Sequence, residues 1–113
     1  MAHLNYVRTH RKSWALSQRD LSLLLGRRSR GGISDLEAGR YRPSLKVVLM
    51  CQMLFDTACA ELFPELHAEF EDALMRQAAA LDRKIAQRSD PASNRKRELL
   101  ALLADRLGNR GGA

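Results

Sequence analysis

A chain of 113 residues is long enough for one compact domain with an appendage, burying roughly two-thirds of the surface it exposes when unfolded. Aromatic residues make up only 5%, and leucine, alanine and arginine dominate, which favours helix over sheet. No stretch approaches the roughly 18 apolar residues of a membrane span, and no apolar signal core follows the basic N-terminus, so a cytoplasmic protein with no membrane partner is expected.

The net charge of +6 is unevenly distributed. Residues 1–46 hold ten Lys/Arg against three acids, a net +7, and the rest of the chain holds nine against ten, a net −1. A basic excess concentrated in one half is the electrostatic footprint of a polyphosphate partner, whereas ordinary solvating charge would be spread more evenly. The two cysteines, Cys51 and Cys59, lie in apolar surroundings without CxxC or Cys/His spacing, and reduced, buried thiols are expected.

In chain order, residues 5–14 read as a first helix, with Leu4, Val7, Trp14 and Arg11 on its inner side. Ser17 caps a second helix and Asp20, three residues on, returns the hydrogen bond in a capping box. Leu21, Leu24 and Leu25 share one face of it. Gly26 closes it, since glycine takes the left-handed conformation past a helix end without steric cost. Ser29 is a candidate cap for a third helix, whose buried edge is Ile33 and Leu36 and whose end is Gly39. Two short helices around a tight turn are the helix-turn-helix plan, in which the second helix enters the DNA major groove.

Pro43 then stops any helical continuation and Ser44 caps the next helix. Residues 45–55 are apolar nearly all round, which predicts a central helix with Met50 and Met53 as core filler. A short fifth helix is expected at 57–63. From Glu65, the positions Leu66, Phe70, Ala73/Leu74, Ala78, Leu81 and Ile85 step by threes and fours, predicting a long amphipathic helix to about Arg88. Its acids come first (Glu65, Glu69, Glu71, Asp72) and its bases last (Arg83, Lys84, Arg88), complementing the helix dipole. Asp90-Pro91 breaks it, and Pro91 opens a second long helix with Leu99, Leu100, Leu103 and Leu107. Gly108 and the tail 109–113 are expected to fray, and the cluster Arg95-Lys96-Arg97 reads as a solvated face.

Gln18, Leu21, the small Ser22, Gly26, Ile33, Glu37 and Gly39 together resemble the helix-turn-helix of phage-repressor and Xre-type (Cro-like) regulators, over about Val7 to Phe63. Gly26 to Ile33 is seven positions, one more than that family usually has, with the extra residue placed at Arg27 or Arg28. The resemblance implies a five-helix bundle over residues 1–64 in an all-α fold; beyond it, the two amphipathic helices joined by the break at Asp90-Pro91 suggest a C-terminal helical hairpin over 65–113. It also implies that Arg11 and Glu37 form the arginine–glutamate pair tying the first helix to the recognition helix; two independent surface charges are the alternative. The implied function is a sequence-specific transcriptional regulator of double-stranded DNA, a nucleoid-associated repressor binding a palindromic operator as a homodimer.

On that reading Gln18 and Arg19 contact phosphate at the start of the second helix, where free N–H groups favour an anion. Arg27, Arg28, Arg40, Tyr41 and Arg42 flank the groove. Arg30, Ser34 and Asp35 face the bases, with Gly31 at the groove floor and the cap Ser29 beside them in the DNA-binding set, and Arg30 is able to bond guanine O6 and N7 together. Asp35 either accepts from a cytosine N4 or forms a salt bridge to a nearby arginine. Gly31-Gly32 either lets the backbone approach DNA or delays the helix start. The hairpin's apolar faces need a cover: the same hairpin in a second subunit, or its own residues 45–63.

No catalysis is expected. His3, His10 and His67 are scattered, and no nucleophile–base pair, phosphate loop or metal spacing occurs, so no cofactor or metal is assigned and His10 reads as a surface residue. The competing reading is an antitoxin-like interaction module that binds another protein through residues 65–107.

Overall fold

Helix signals recur along this chain at short intervals, and the computed structural model, which describes residues 3–26 and 30–111, is all-helical, with no strand among the described residues. Its elements are α1 (Val7–Ser13), α2 (Gln18–Leu24), α3 (Arg30–Glu37), α4 (Leu45–Phe55), α5 (Cys59–Leu62), α6 (Pro64–Ile85) and α7 (Pro91–Gly111). The chain divides into two compact units, Met1–Ala68 and Glu69–Ala113, and the division falls near the start of α6.

Local chemistry accounts for the boundaries. Ser17 Oγ accepts from the Asp20 amide at 3.0 Å while Asp20 Oδ2 accepts from the Ser17 amide at 2.9 Å, satisfying two otherwise orphaned donors at the start of α2. Gly26 follows α2 at φ +70° and Gly39 follows α3 at φ +70°, the left-handed region that terminates a helix. Ser44 Oγ accepts from the Val47 amide at the head of α4, and Asp56 ends that helix in the left-handed region. α5 is a single turn, Cys59–Leu62, shorter than the expected 57–63.

In the first unit the core is one cluster: Val7, Leu21, Leu25, Ile33, Leu36, Val47, Cys51, Phe55, Leu62, Phe63 and Leu66, with Leu16, Tyr41, Val48, Met50 and Cys59 packed against it. Each fully buried aliphatic side chain here contributes about 1.5–3 kcal/mol. Neither cysteine is in a disulfide; Cys51 is buried and Cys59 half-buried.

Several expected inward positions face out. α1 ends at Ser13 and the chain reverses through Ala15 at φ +59°, so Trp14 is 68% exposed instead of continuing the Val7–Arg11 stripe. Leu4 precedes the helix and is 52% exposed. In α2 the buried face runs through Leu21, Ser22 and Leu25, which leaves Leu24 at its edge and half exposed. The largest correction concerns α4. Val47, Cys51 and Phe55 are buried at i, i+4 and i+8, whereas Leu45, Leu49 and Met53 are exposed. In a unit this small each helix meets the core along one stripe, and an apolar back face does not create a second layer to cover it. His10 is half-buried, its ring 5.6 Å from that of Phe55, and is not a free surface residue.

Residues 3–6 precede α1 and are not helical, and they bond to the end of α3. His3 N donates to Gly39 O at 3.0 Å and Asn5 Nδ2 to Leu36 O at 2.9 Å. Leu4 N donates to Glu65 Oε2 at 2.8 Å and Tyr6 N to Leu62 O at 2.8 Å. A Cβ on Gly39 would collide with the His3 backbone.

In the second unit α6 stops at Ile85, three residues before the expected end, where Arg88 N turns back to Ile85 O at 3.0 Å. Asp90 caps α7: its carboxylate accepts from Ser93 Oγ at 2.8 Å and Ser93 N at 3.1 Å. α7 continues through Gly108 to Gly111, because one glycine costs about 1 kcal/mol in a helix without ending it; of the tail expected to fray, residues 112 and 113 lie outside the described residues. Arg95 pairs with Glu98 at 2.7 Å, and Arg97 Nε lies 3.6 Å from Asp82 Oδ1, so two of the three residues of the basic cluster are engaged in ion pairs.

The two turn glycines should therefore respond differently. Gly26→Ala meets only the Lys46 ammonium, 3.8 Å from the new Cβ, and should cost about 1 kcal/mol for the left-handed backbone alone. Gly39→Ala adds a backbone collision and should lose clearly more in urea unfolding; equal losses would show that the strap over α3 contributes nothing. The caps make a second prediction. Hydrogen bonds from Ser93 hold the Asp90 carboxyl below the ordinary aspartate value of 3.8, and those from Ser17 do the same for Asp20. A depressed folded-state value means stability present above the unfolded value, near pH 4, and lost as pH falls through the folded value. Asp90→Asn should abolish the part of that acid-side loss of helicity which belongs to α7, as read by circular dichroism.

Candidate nucleic-acid interface

Glu37, in the last turn of α3, is the acceptor around which the first three helices meet. Arg11 Nε donates to Glu37 Oε2 at 2.6 Å and Arg11 Nη2 to Glu37 Oε1 at 3.2 Å. The side chains of this pair are 8% and 4% exposed. Gln18 Nε2 adds a third donor to Glu37 Oε1 at 3.1 Å, and Arg11 Nη1 reaches the Leu16 carbonyl at 2.8 Å. Taking two charges out of water costs several kcal/mol per ion, and only good geometry with extra hydrogen bonds offsets it. Here both arginine and carboxylate have such bonds, so one buried network joins α1, the α1–α2 connection, the head of α2 and the tail of α3.

The inner edge of α3 is Ile33 and Leu36, both essentially buried. Its middle is held by Tyr41, whose hydroxyl donates to the Gly32 carbonyl at 2.9 Å and whose ring packs against the core. That places Ser34 on the exposed side. Asp35 pairs with Arg40 at 2.8 Å, with both side chains substantially exposed, so an exposed arginine already engages this carboxylate. Such a pair contributes at most about 1 kcal/mol and is readily exchanged.

The assigned residues thus separate into groups. Arg19, Ser34, Arg40 and Arg42 are exposed, and Asp35 is half-exposed. Gln18 Nε2 donates to Glu37 and the Tyr41 hydroxyl to the Gly32 carbonyl, so both residues also help to hold α3. Arg30 and Gly31 lie within the first turn of α3, so Gly31-Gly32 does not delay the helix. Arg27, Arg28 and Ser29 lie outside the described residues, as does the side chain of Arg30.

Two contributors carry no assignment from the sequence. Lys46, on α4, brings its ammonium beside Gly26 at the turn between α2 and α3; the only sequence signal was its membership of the basic half. Asn5 ties the N-terminal segment to α3 through Leu36 O and accepts from Val7 N at 3.1 Å, which no helical periodicity announces.

No His/Cys/Asp/Glu group able to hold a metal occurs among the described residues, and no helix among them is long and apolar enough to cross a membrane. The chain matches no protein-family model and no curated protein.

Removing one partner of the buried pair strands the other. Arg11→Ala should lose about 3–5 kcal/mol, whereas Arg11→Met combined with Glu37→Leu should recover much of that loss. Urea unfolding of the two variants decides it. A loss below about 1 kcal/mol for Arg11→Ala would mean that the network does not hold α3.

Proposed function

We propose that residues 1–64 form a five-helix helix-turn-helix bundle that binds double-stranded DNA, with α3 as the recognition helix, and that the chain is a sequence-specific transcriptional regulator. The observation that carries this reading is that α3 is fastened along its inner side by Ile33, Leu36, Glu37 and Tyr41 while Ser34 faces solvent, in the half of the chain whose net charge is +7. A helix held from behind and free in front suits insertion into a major groove about as wide as a helix.

In this reading phosphate neutralisation supplies affinity without regard to sequence. Arg19, Arg40, Arg42 and Lys46 are candidate cations around α3, with Arg27 and Arg28 in the connection between α2 and α3. Each phosphate neutralised contributes a log–log salt slope of about −0.9. Arg30 reads bases, and the Asp35–Arg40 pair opens when Arg40 turns to phosphate, leaving Asp35 to repel DNA unless a donor such as cytosine N4 meets it. A palindromic site read by a homodimer, with repression by occupancy, completes the proposal.

A protein-interaction module is the second reading, favoured by the exposed apolar row Leu45, Leu49 and Met53 on α4. The two readings part in one experiment. The regulator should retard random duplex DNA at low salt, lose that binding steeply as salt rises, and select a palindrome from a random library. Arg30→Ala should relax the selected sequence by about 1–3 kcal/mol at one position with the melting temperature unchanged. No retardation at any salt concentration would overturn the regulator reading.

A further inference from the structure

Trp14 is the only tryptophan of the chain, and it stands 68% exposed directly after α1. Single exposed leucines are ordinary on a protein surface, but this exposure is built into the turn. Trp14 N donates to Arg11 O at 3.3 Å, Leu16 N to Arg11 O at 3.1 Å and Ala15 N to Lys12 O at 3.0 Å. The Arg11 guanidinium closes the turn from the side at Leu16 O, while its other nitrogens hold Glu37. One arginine therefore fixes both the turn that carries Trp14 and the tail of α3. Ala15 sits there at φ +59°, a conformation its β-carbon makes costly, and strain of that kind gathers where a segment serves a ligand. Among the described residues no ring packs against Trp14.

Charge names the class of partner. Arg8 and Lys12 on α1 and Arg19 on α2 are exposed, and residues 3–19 contain no acid. The nearest carboxylate along the chain, Asp20, already accepts from the Ser17 amide at 2.9 Å. Tryptophan combines a flat apolar ring with a single N–H donor. Among cations, that combination fits a partner with apolar faces beside anionic oxygens, which the sugar–phosphate backbone of DNA offers. An anionic lipid surface offers the same two groups. The tie to α3 favours DNA, because a duplex seated against α3 and Arg19 would pass beside the turn that Arg11 holds.

We infer that Trp14 is a contact to the DNA backbone: its ring covers a deoxyribose and its indole N–H donates to the adjoining phosphate, with Lys12 and Arg19 neutralising neighbouring phosphates. The inference rests on the regulator reading and adds to it a contact that lies outside the two helices of the helix-turn-helix.

The test uses the full chain and its tryptophan emission, which comes from Trp14 alone. Random-sequence duplex at low salt should quench or shift that emission along the same titration curve as gel retardation, and added salt should reverse both together. Trp14→Ala should weaken binding about tenfold, equally on random and on selected duplex, since a backbone contact carries no base information. Its log–log salt slope should match the native one because no charge is lost, whereas Arg19→Ala should make the slope shallower by about 0.9. Trp14→Phe, which keeps a ring and loses the N–H, should fall between. The melting temperature should stay native in Trp14→Ala, where a merely structural role would lower it. Retardation with unchanged emission overturns this contact alone. So does Trp14→Ala that binds as tightly as native protein, or that loses selected duplex while keeping random duplex. An emission shift on phosphatidylglycerol vesicles with none on DNA overturns it in favour of a lipid surface. If native protein retards no duplex at any salt concentration, the regulator reading falls and this contact with it.

Discussion

The first unit depends on one buried carboxylate. Glu37 stands near the end of a short helix, where its charge is unwelcome to the local backbone dipole, and it is tolerated because three side-chain hydrogen bonds from two other helices converge on it. An apolar residue there would pack but would not choose among rotations of α3 about its own axis. The bidentate guanidinium fork fixes that rotation, and with it which residues α3 turns to solvent. The network is better understood as setting an orientation than as adding stability, since buried ion pairs seldom outperform well-packed hydrocarbon.

That distinction gives two of the assigned positions, Gln18 and Tyr41, a part inside the fold. Gln18 and Tyr41 are amphipathic or polar residues near a helix end and in a loop, both usual places for nucleic-acid contacts. Nothing in local sequence separates a side chain that reaches outward from one that reaches back across the fold. Gln18 meets a residue 19 positions away and Tyr41 a backbone carbonyl nine away; such contacts become visible only once the helices are placed. The helices themselves were legible because their signals are short-range: the Ser17–Asp20 box, glycines at 26 and 39, Ser44 ahead of α4, and Asp90-Pro91 at the head of α7. Arg11 and Glu37, 26 positions apart, were paired through a resemblance and not through any periodicity.

Burial was less legible than boundaries. Composition marks α4 as apolar on all sides, yet only the Val47–Cys51–Phe55 side finds a core. Trp14 is large and apolar, but the helix that would have turned it inward stops one residue earlier. In each case hydrophobicity was read correctly and the number of available layers was not. The same limit applies to α6 and α7, whose threes-and-fours pattern predicts an apolar stripe without saying whether the protein supplies its own cover.

The segment of residues 3–6 has a consequence for how the chain matures. They join the start of the first unit to residues as far along as Leu62 and Glu65, a separation of 61 positions for the longest of these bonds. Loop-closure entropy has to be met before contacts so distant can form. During synthesis, then, the first four helices can emerge and coil, but the bonds from Leu4 and Tyr6 wait until α5 and the opening of α6 have left the ribosome. The N-terminal segment is thus among the last parts of the first unit to be fixed.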